Sequence, residues 1–434
     1  MTTYEVVPGG ALRGAIAVPG DKSVSHRSVM LGSLARGTTS VSNFLEGEDT
    51  RATAAAFRAM GVTIDADGSG GLRIHGRGLN GLQAPHAPLD LGNSGTAMRL
   101  MAGVLCGQRF DSELTGDESL NSRPMGRIVD PLRRMGADIR AQADGTAPLI
   151  IRGGQNLTGM RYDMPVASAQ VKSALLFAGL YSTGATRVTS PGVCRDHTER
   201  MLQGFGYPVH SDDSGVSLEG GHDLASRDVQ IPSDVSSAAF FLVGASIAPD
   251  SDLTLTGVGM NPTRAGVVSI LKMMGARIEV LNERDASGEP VADLRVRGST
   301  LMGIDVPKGL VANAIDEFPA IFVAAACADG ETRVTGAREL RVKESDRIGA
   351  MADGLAALGA SAIPLDDGMV VNGGALAGGT VQSRGDHRIA MALAMAGLRA
   401  STPVVVEDCA NVATSFPNFV ELAESAGLRI GVHS

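Results

Sequence analysis

A pattern of apolar and polar positions repeats six times along the chain. An apolar-periodic run typical of a helix ends in glycine and leads into a short apolar strand, as in AFRAMGVTI, PLRRMGADI and ILKMMGARI. Glycine directly after a helix readily adopts the left-handed conformation that ends it. The pattern therefore predicts six helix–turn–strand segments. Their glycines are Gly61, Gly136, Gly206, Gly275, Gly359 and Gly427.

A second shared element follows the first. After five of the strands come a polar turn and another strand, which predicts a β-hairpin. A further strand then leads into a polar cluster that opens an Ala-rich helix, so each copy predicts β-α-β-α-β-β over roughly 70 residues. The last copy stops after its first strand, and the chain begins with strands that no complete hairpin precedes. We expect the N-terminal strands to complete the sixth unit.

Six such units exceed the usual size of one hydrophobic core. We therefore predict an α/β fold of two similar domains, each of three β-α-β-α-β-β repeat units, joined by two chain crossings. One domain is predicted at residues 18–232, and the other at residues 1–17 plus 233–434.

Composition excludes several classes of protein. The net charge is −9 and aromatic residues make up 3% of the 434 residues, which disfavours a nucleic-acid partner. Four dispersed cysteines and eight scattered histidines support neither a disulfide framework nor a metal site. The apolar runs are too short to span a bilayer. We expect a cytoplasmic monomer without metal, cofactor or membrane partner.

Basic residues cluster at the predicted helix starts. Ser, Asp, Asn and Thr at these positions are explained by helix capping, but the cations are not. Helix N-termini favour anions, so if the units are arranged symmetrically these cations should meet in a cleft between the domains and bind a small, multiply anionic ligand. The cations are Lys22, Arg27, Arg123, Arg195, Lys343, Arg347 and Arg388.

Two carboxylates among these cations are candidates for proton transfer. Asp316 stands at a helix start in NAIDEFP, and Glu344 lies between Lys343 and Arg347. Each alone is explained more simply as a helix cap or a surface ion pair. Within a cationic site, a carboxylate whose pKa is tuned by its neighbours can act as a base or an acid.

At these residues the chain resembles the 5-enolpyruvylshikimate-3-phosphate (EPSP) synthase family, nearly from end to end. The motifs that carry the resemblance are PGDKSVSHR, LGNSGTAMRL, NSRPMGRIVDPL, SAQVKSALL, RDHTERML, AIDEFPA, RVKESDRI, GDHRIAMA and ATSFPNF. The resemblance implies an enolpyruvyl transferase fold of the inside-out α/β barrel type. It implies transfer of the enolpyruvyl group of phosphoenolpyruvate to the 5-hydroxyl of shikimate 3-phosphate, with release of phosphate.

The resemblance also implies roles for individual residues. Asp316 corresponds to the base that takes the hydroxyl proton, while Glu344 and Lys22 are the partners for protonating the methylene carbon and assisting phosphate departure. Two binding sets follow. The shikimate 3-phosphate set is Lys22, Ser23, Arg27, Ser168, Ala169, Gln170, Arg195, Asp316 and Lys343. The phosphoenolpyruvate set is Lys22, Gly95, Arg123, Gln170, Arg347 and Arg388.

The chain departs from the family pattern at one position. Many members have a lysine for phosphoenolpyruvate where this chain has Thr414. The pattern SAQVKSALL together with ATSFP resembles the branch that includes glyphosate-tolerant enzymes, yet Gly95 is retained where well-known tolerant forms have alanine. We expect glyphosate to compete with phosphoenolpyruvate.

Two alternatives remain at this stage. A UDP-N-acetylglucosamine enolpyruvyl transferase would carry a reactive cysteine before an Arg-Pro pair, but the corresponding segment here is GDESLNSRP. A non-catalytic anion-binding scaffold would share the repeat and the cations without the chemistry.

Overall fold

The chain forms two compact units. The structure is a computed structural model that describes residues 2–212 and 214–433. The internal unit comprises Gly20–Ile231 and Ala286–Glu289, and the terminal unit comprises the chain up to Pro19, Pro232–Asp285 and the chain from Pro290 onward. The sequence did not indicate the short segment Ala286–Glu289, which is the turn of a hairpin.

The described residues of the internal unit form three four-stranded sheets, one for each repeat. In each sheet the first two strands run parallel, the third strand pairs antiparallel with the second, and the fourth strand pairs antiparallel with the third to complete the hairpin. In spatial order the sheets are Val229–Gln230, Arg36–Ser42, Leu72–Arg77 and Thr63–Ala66; Leu89–Asp90, Ser112–Thr115, Leu149–Arg152 and Asp138–Arg140; and Arg161–Asp163, Ala185–Thr189, Gly215–Glu219 and Val209–Asp212.

Apolar helices fill the core of the internal unit. The helices Gly95–Cys106 and Ala169–Gly179 are buried along most of their length and pack closely, since a Cβ on Gly103 would lie 2.1 Å from the Ala174 carbonyl oxygen. This approach brings the first turns of the two helices together. The helices of this unit are Lys22–Leu34, Glu48–Ala59, Gly95–Cys106, Glu118–Asn121, Gly126–Arg134, Ala169–Gly179 and His197–Gly204.

The terminal unit repeats the same plan. The sheet that contains Glu331–Val334 has three strands among the described residues, and an isolated parallel bridge between Asp305 and Arg333 stands in place of the fourth. In spatial order the sheets are Arg277–Ala286, Glu289–Arg297, Asp252–Gly259 and Arg13–Ile16; Glu331–Val334, Gly368–Asn372 and Ser361–Leu365; and Gly379–Gln382, Val404–Glu407, Thr3–Val6 and Ile430–His433.

The two N-terminal strands join different sheets. Thr3–Val6 lies between Val404–Glu407 and Ile430–His433, which confirms that it completes the sixth unit. The prediction was wrong for Arg13–Ile16, which pairs in parallel with Asp252–Gly259. Since the chain crosses into the internal unit after this strand, the strand serves as the first strand of the repeat to which the chain later returns.

The helices of the terminal unit begin close to the predicted starts. The α-helices are Val235–Ile247, Gly266–Met273, Lys308–Val311, Phe318–Ala326, Arg347–Ala357, His387–Ala396 and Phe419–Ala426, and the 3-10 helices are Ala312–Ala314, Arg338–Val342 and Ala410–Thr414. Within residues 2–212 and 214–433, no single helix is long and apolar enough to cross a membrane; Lys308–Ala314 and Phe318–Ala326 meet that criterion only as a pair bent by 120°.

Candidate active site

The first helix of the internal unit begins with an anchored lysine. Asp21 caps the helix by accepting a hydrogen bond from the Val24 backbone N–H at 2.8 Å. The Lys22 ammonium forms an ion pair with Asp49, a buried residue in the first turn of helix Glu48–Ala59. Lys22 is therefore held at the helix start where the sequence predicted it, and Ser23 follows it in the same turn.

Arg27 lies one turn further along this helix and is buried. Its Nε donates to Thr198 Oγ1 at 2.6 Å, its Nη2 to Ser173 Oγ at 2.9 Å and its Nη1 to the Ser23 carbonyl at 3.0 Å. Burial lowers the pKa of Arg27 to about 10, opposed by the carboxylate of Glu199. The guanidinium is thus positively charged at neutral pH and fixed in orientation.

His26 is a buried residue of this region that sequence reasoning missed. Its Nδ1 is 2.8 Å from Thr53 Oγ1 and its Nε2 is 3.4 Å from Ser94 Oγ. Burial holds the pKa of His26 well below its usual range, and the charges of Lys22 and Arg27 lower it further. A neutral His26 therefore adds no third cation. Its position in the PGDKSVSHR motif was the available signal.

The starts of two packed helices are joined by Gln170. Its Nε2 donates to Thr96 Oγ1 at 3.0 Å, and its Oε1 accepts from Arg99 at 2.8 Å. Ser168 caps helix Ala169–Gly179 by accepting from the Val171 N–H at 3.4 Å. The sequence predicted Ser168, Ala169 and Gln170 here but not the link to Thr96 and Arg99.

Arg123 lies beside the start of helix Gly95–Cys106. Its Nη2 donates to Asn93 Oδ1 at 2.5 Å and to Ser119 Oγ at 3.2 Å. A Cβ on Gly95 would lie 3.3 Å from Arg123 Nη1. The structure thus brings Gly95 and Arg123 together, as the predicted phosphoenolpyruvate set requires.

Arg195 precedes a helix whose first turn is tied by buried polar side chains. Its positive charge is one of the influences that lower the pKa of Arg27. In helix His197–Gly204, His197 Nδ1 is 2.7 Å from Glu289 Oε1 and Glu199 pairs with Lys172 at 2.5 Å. All four of these paired side chains are buried.

A cavity of about 420 Å³ opens beside this helix. Its walls include Lys172, Cys194 and Glu199. Among the described residues that line it, Lys22, Ser23 and Arg27 are not found. This cavity is therefore lined by residues other than these three predicted anion-binding residues.

In the terminal unit, the buried Arg347 is surrounded by carboxylates. Its Nε donates to Asp386 Oδ2 at 2.8 Å, its Nη2 to Glu344 Oε2 at 2.6 Å, and its Nη1 lies 3.5 Å from Asp316 Oδ1. Burial alone would lower the pKa of Arg347, but these three carboxylates raise it above its usual range. Two predicted catalytic carboxylates thus meet on one guanidinium.

Lys343 shares one of these carboxylates. Its Nζ is 3.4 Å from Asp316 Oδ1 and 2.9 Å from Glu339 Oε1. Burial acts to lower the pKa of Lys343, but Asp316 and Glu339 outweigh it and raise the pKa.

For Glu344, burial acts to raise the pKa, but Arg347, His387 and Lys343 outweigh it and lower the pKa well below its usual range. Glu344 is therefore ionised in this structure.

Arg388 completes the terminal cluster. Its Nη1 donates to the Asp316 carbonyl at 3.1 Å and lies 3.7 Å from Glu317. Sequence reasoning missed the function of Asp386 at the same helix start: its carboxylate contacts Arg347 and also accepts from the Arg388 backbone N–H at 2.9 Å. Such a contact between separate repeats leaves no local signal in the sequence.

Comparison with known proteins decides the family. A family model described as EPSP synthase (3-phosphoshikimate 1-carboxyvinyltransferase) matches residues 6–422. The chain belongs to the EPSP synthase family. It is 63% identical over 425 residues to a 3-phosphoshikimate 1-carboxyvinyltransferase of Methylococcus capsulatus, covering 98% of this chain and 97% of that protein. Its structure is similar to a solved EPSP synthase from Acinetobacter baumannii, with a TM-score of 0.92, 54% identity and full coverage of both chains.

Membership of the EPSP synthase family confirms the predicted fold class of two similar domains built from repeat units. A relative in Acidithiobacillus ferrooxidans, 61% identical and covering all of both chains, bears the same enzyme name. Neither the UDP-N-acetylglucosamine enzyme nor the non-catalytic scaffold is favoured by these comparisons.

Proposed function

We propose that this chain transfers the enolpyruvyl group of phosphoenolpyruvate to the 5-hydroxyl of shikimate 3-phosphate and releases phosphate, as an enzyme of the shikimate pathway. The observation that carries the proposal is the contact, at ion-pair distances, of Asp316 in the motif AIDEFPA with Lys343 and Arg347 in the motif RVKESDRI, where Arg347 also contacts Glu344. A scaffold that only binds anions would gain nothing from carboxylates on its buried arginine, whereas a proton-transfer enzyme needs them.

Residues of the internal unit suit a phosphorylated alcohol. We assign Ser23, Arg27, Ser168, Ala169, Gln170 and Arg195 to shikimate 3-phosphate, together with Lys22, Lys343 and Asp316. Arg27 is supported by its fixed, buried guanidinium, because a preoriented arginine binds phosphate oxygens with little loss of side-chain entropy.

Phosphoenolpyruvate carries a phosphate and a carboxylate, and we assign it to Lys22, Gly95, Arg123, Gln170, Arg347 and Arg388. The absence of a Cβ at Gly95 supports this assignment, since it leaves the Arg123 guanidinium room beside the helix N-terminus. The assigned cations match the two types of anionic group that this ligand carries.

The reaction proceeds by addition and then elimination. The oxygen of the 5-hydroxyl attacks C2 of phosphoenolpyruvate while Asp316 accepts the hydroxyl proton. A second proton is added to C3, and the product of this addition is a tetrahedral intermediate. Loss of phosphate from C2 and of a proton from C3 restores the double bond. Lys343 and Arg347 lie beside Asp316 and keep its carboxylate oriented.

Glu344 must gain a proton before it can act as the acid at C3. While its carboxylate contacts Arg347, its pKa is too low for that role. An anionic ligand that takes over Arg347 Nη2 would remove the main charge that lowers this pKa. Phosphoenolpyruvate binding would then prepare Glu344 for proton transfer, with Lys22 as its partner in assisting phosphate departure.

The direct test is phosphate release from phosphoenolpyruvate, measured with and without shikimate 3-phosphate. We expect release only when both substrates are present. Phosphate release that is independent of shikimate 3-phosphate would refute the assignment. Phosphate release that requires UDP-N-acetylglucosamine instead of shikimate 3-phosphate would refute it as well.

Asp316→Asn tests the assignment of the base. The amide keeps the shape but cannot take a proton, so we expect kcat to fall by roughly 10²–10⁴-fold while calorimetry still detects shikimate 3-phosphate binding. Asp305→Asn is the matched control, since Asp305 is an exposed carboxylate that pairs with Arg333 only at 3.8 Å. Unchanged turnover in Asp316→Asn would favour a different base.

We also propose that the protein acts as a monomer in the cytoplasm, without a nucleic-acid or membrane partner. All four cysteines are free thiols, which is compatible with a reducing compartment. Sedimentation of the purified protein and fractionation of the cells that produce it would test these two statements.

A further inference from the structure

The two buried arginines assigned to substrates have opposite surroundings. Arg347 contacts three carboxylates. Within residues 2–212 and 214–433, the three hydrogen-bond acceptors of Arg27 are all uncharged: the hydroxyls of Thr198 and Ser173 and the carbonyl of Ser23. These bonds use three of the five guanidinium N–H donors and leave one on each terminal nitrogen.

We propose that Thr198 and Ser173 are positioning residues for shikimate 3-phosphate: their hydroxyls orient Arg27 while leaving its charge uncompensated by direct contact. This inference rests on the proposed function and adds to it two residues that contact no substrate in the assignment above. The specificity for a phosphorylated alcohol then depends on the neutrality of the acceptors as well as on Arg27.

The two hydroxyls form one unit with the guanidinium. Ser173 Oγ and Thr198 Oγ1 lie 2.7 Å apart, so each contacts Arg27 and the other. Thr198 and Ser173 are 0% and 1% exposed, so bulk solvent does not reach these hydroxyls in the folded chain. Removing either hydroxyl therefore leaves a buried N–H of Arg27 without its acceptor, and the guanidinium must shift or lose a bond.

The helix that carries Thr198 is itself fixed on both sides. His197 contacts Glu289, and Glu199 contacts Lys172, the residue next to Ser173. His197 and Glu199 are two positions apart and therefore point about 200° apart around the helix, so their ion pairs restrain the first turn from different directions. They also occupy the carboxylates of Glu199 and Glu289, whose charges act on Arg27 only from a distance.

Because the groups that accept hydrogen bonds from Arg27 are uncharged, the positive charge of Arg27 stays available to a bound phosphate. A carboxylate in place of Thr198 would form an ion pair with Arg27, and the phosphate would then have to displace it. A hydroxyl satisfies the N–H without competing for the charge, so the dianion meets a full positive charge in a buried setting where electrostatic attraction is strong.

The test compares Thr198→Val, which keeps the shape of threonine but removes the hydroxyl, with Thr198→Ser, which keeps the hydroxyl. We expect Thr198→Val to raise the Kd and KM for shikimate 3-phosphate by about 10- to 100-fold. The KM for phosphoenolpyruvate and kcat, both measured at saturating shikimate 3-phosphate, should change by less than about threefold, and Thr198→Ser should restore the Kd.

Thr39→Val is the matched control, because Thr39 is a fully buried threonine of the same unit whose hydroxyl has no partner among the described residues. Thermal melting identifies variants that are not folded, and Ser173→Ala offers a second route to the same loss of affinity. An unchanged Kd in folded Thr198→Val or Ser173→Ala, or a fall in kcat alone, would overturn the proposal. Failure of the wild-type protein to release phosphate would instead refute the proposed function, since the Kd is measured without turnover.

Discussion

His26 is fully buried and feels the charges of two cations, so its environment determines its protonation state. Burial, Lys22 and Arg27 all lower its pKa, and only Asp21 opposes them. In the unfolded chain the same imidazole takes up a proton near pH 6.5. The folded chain therefore binds fewer protons than the unfolded chain below that pH, so acidification favours unfolding.

This predicts a measurable pH dependence. As pH falls below about 6.5, the free energy of unfolding should decrease by up to ~1.4 kcal/mol per pH unit from His26 alone. His26→Gln retains a polar contact for Thr53 but does not titrate, so its slope should be smaller by that amount. Urea unfolding of both proteins at several pH values between 7.5 and 5.5 gives the two slopes, and equal slopes would contradict the prediction.

Gly95 predicts a second effect at the scale of one residue. A Cβ there would lie 2.8 Å from Arg99 Nη1 and 3.3 Å from Arg123 Nη1, both flexible side-chain ends. Gly95→Ala should therefore fold but displace these guanidinium groups. We expect the KM for phosphoenolpyruvate to rise severalfold in steady-state kinetics, while the Kd for shikimate 3-phosphate, held mainly through Arg27, stays the same. A rise in both constants would show that the displacement spreads further.

At the scale of elements, helix ends were the most predictable feature of the chain. All six repeat glycines have positive φ, between 79° and 112°, as the helix-terminating pattern predicts. Asp21, Ser94, Ser168, Asp234 and Asp386 each accept a backbone hydrogen bond at a helix start. Both signals are local, since they depend on residues within one turn, and this is why the sequence revealed them.

Gly206 tests the local signal directly. It has φ +79° and its added Cβ would meet only Ala225 Cβ at 4.0 Å, so Gly206→Ala isolates the conformational penalty from packing. We expect it to lower the free energy of unfolding by about 1 kcal/mol. Gly309→Ala is the matched control: it lies in helix Lys308–Val311 with open space around it and should leave stability unchanged or raise it by up to ~1 kcal/mol. Equal effects of the two variants in urea unfolding would contradict this account.

At the scale of the molecule, periodicity predicted six repeats, and the part of the chain that the structure describes forms six sheets. The partner of strand Arg13–Ile16 could not be predicted, because a repeat pattern gives the order of strands within a unit but not which of two equivalent edges a strand joins after a crossing. The sequence also did not predict that the Ala286–Glu289 turn belongs to the internal unit, or that Arg347 contacts Asp386. Both features join residues that are distant in sequence, and such contacts produce no periodic pattern.

The assigned cations predict how the whole enzyme responds to glyphosate. This compound carries a phosphonate and a carboxylate, so it presents to Arg123, Arg347 and Arg388 the same types of charge as phosphoenolpyruvate. Thr414 supplies no cation at the position where many family members have lysine, and its hydroxyl donates to the Asn411 carbonyl at 2.7 Å.

We expect glyphosate to raise the apparent KM for phosphoenolpyruvate without changing kcat. The inhibition is measured from the rate of phosphate release at saturating shikimate 3-phosphate. The Gly95→Ala variant should require a higher glyphosate concentration for the same degree of inhibition. Unchanged activity of the wild-type enzyme at millimolar glyphosate would show that the remaining cations do not suffice to bind it.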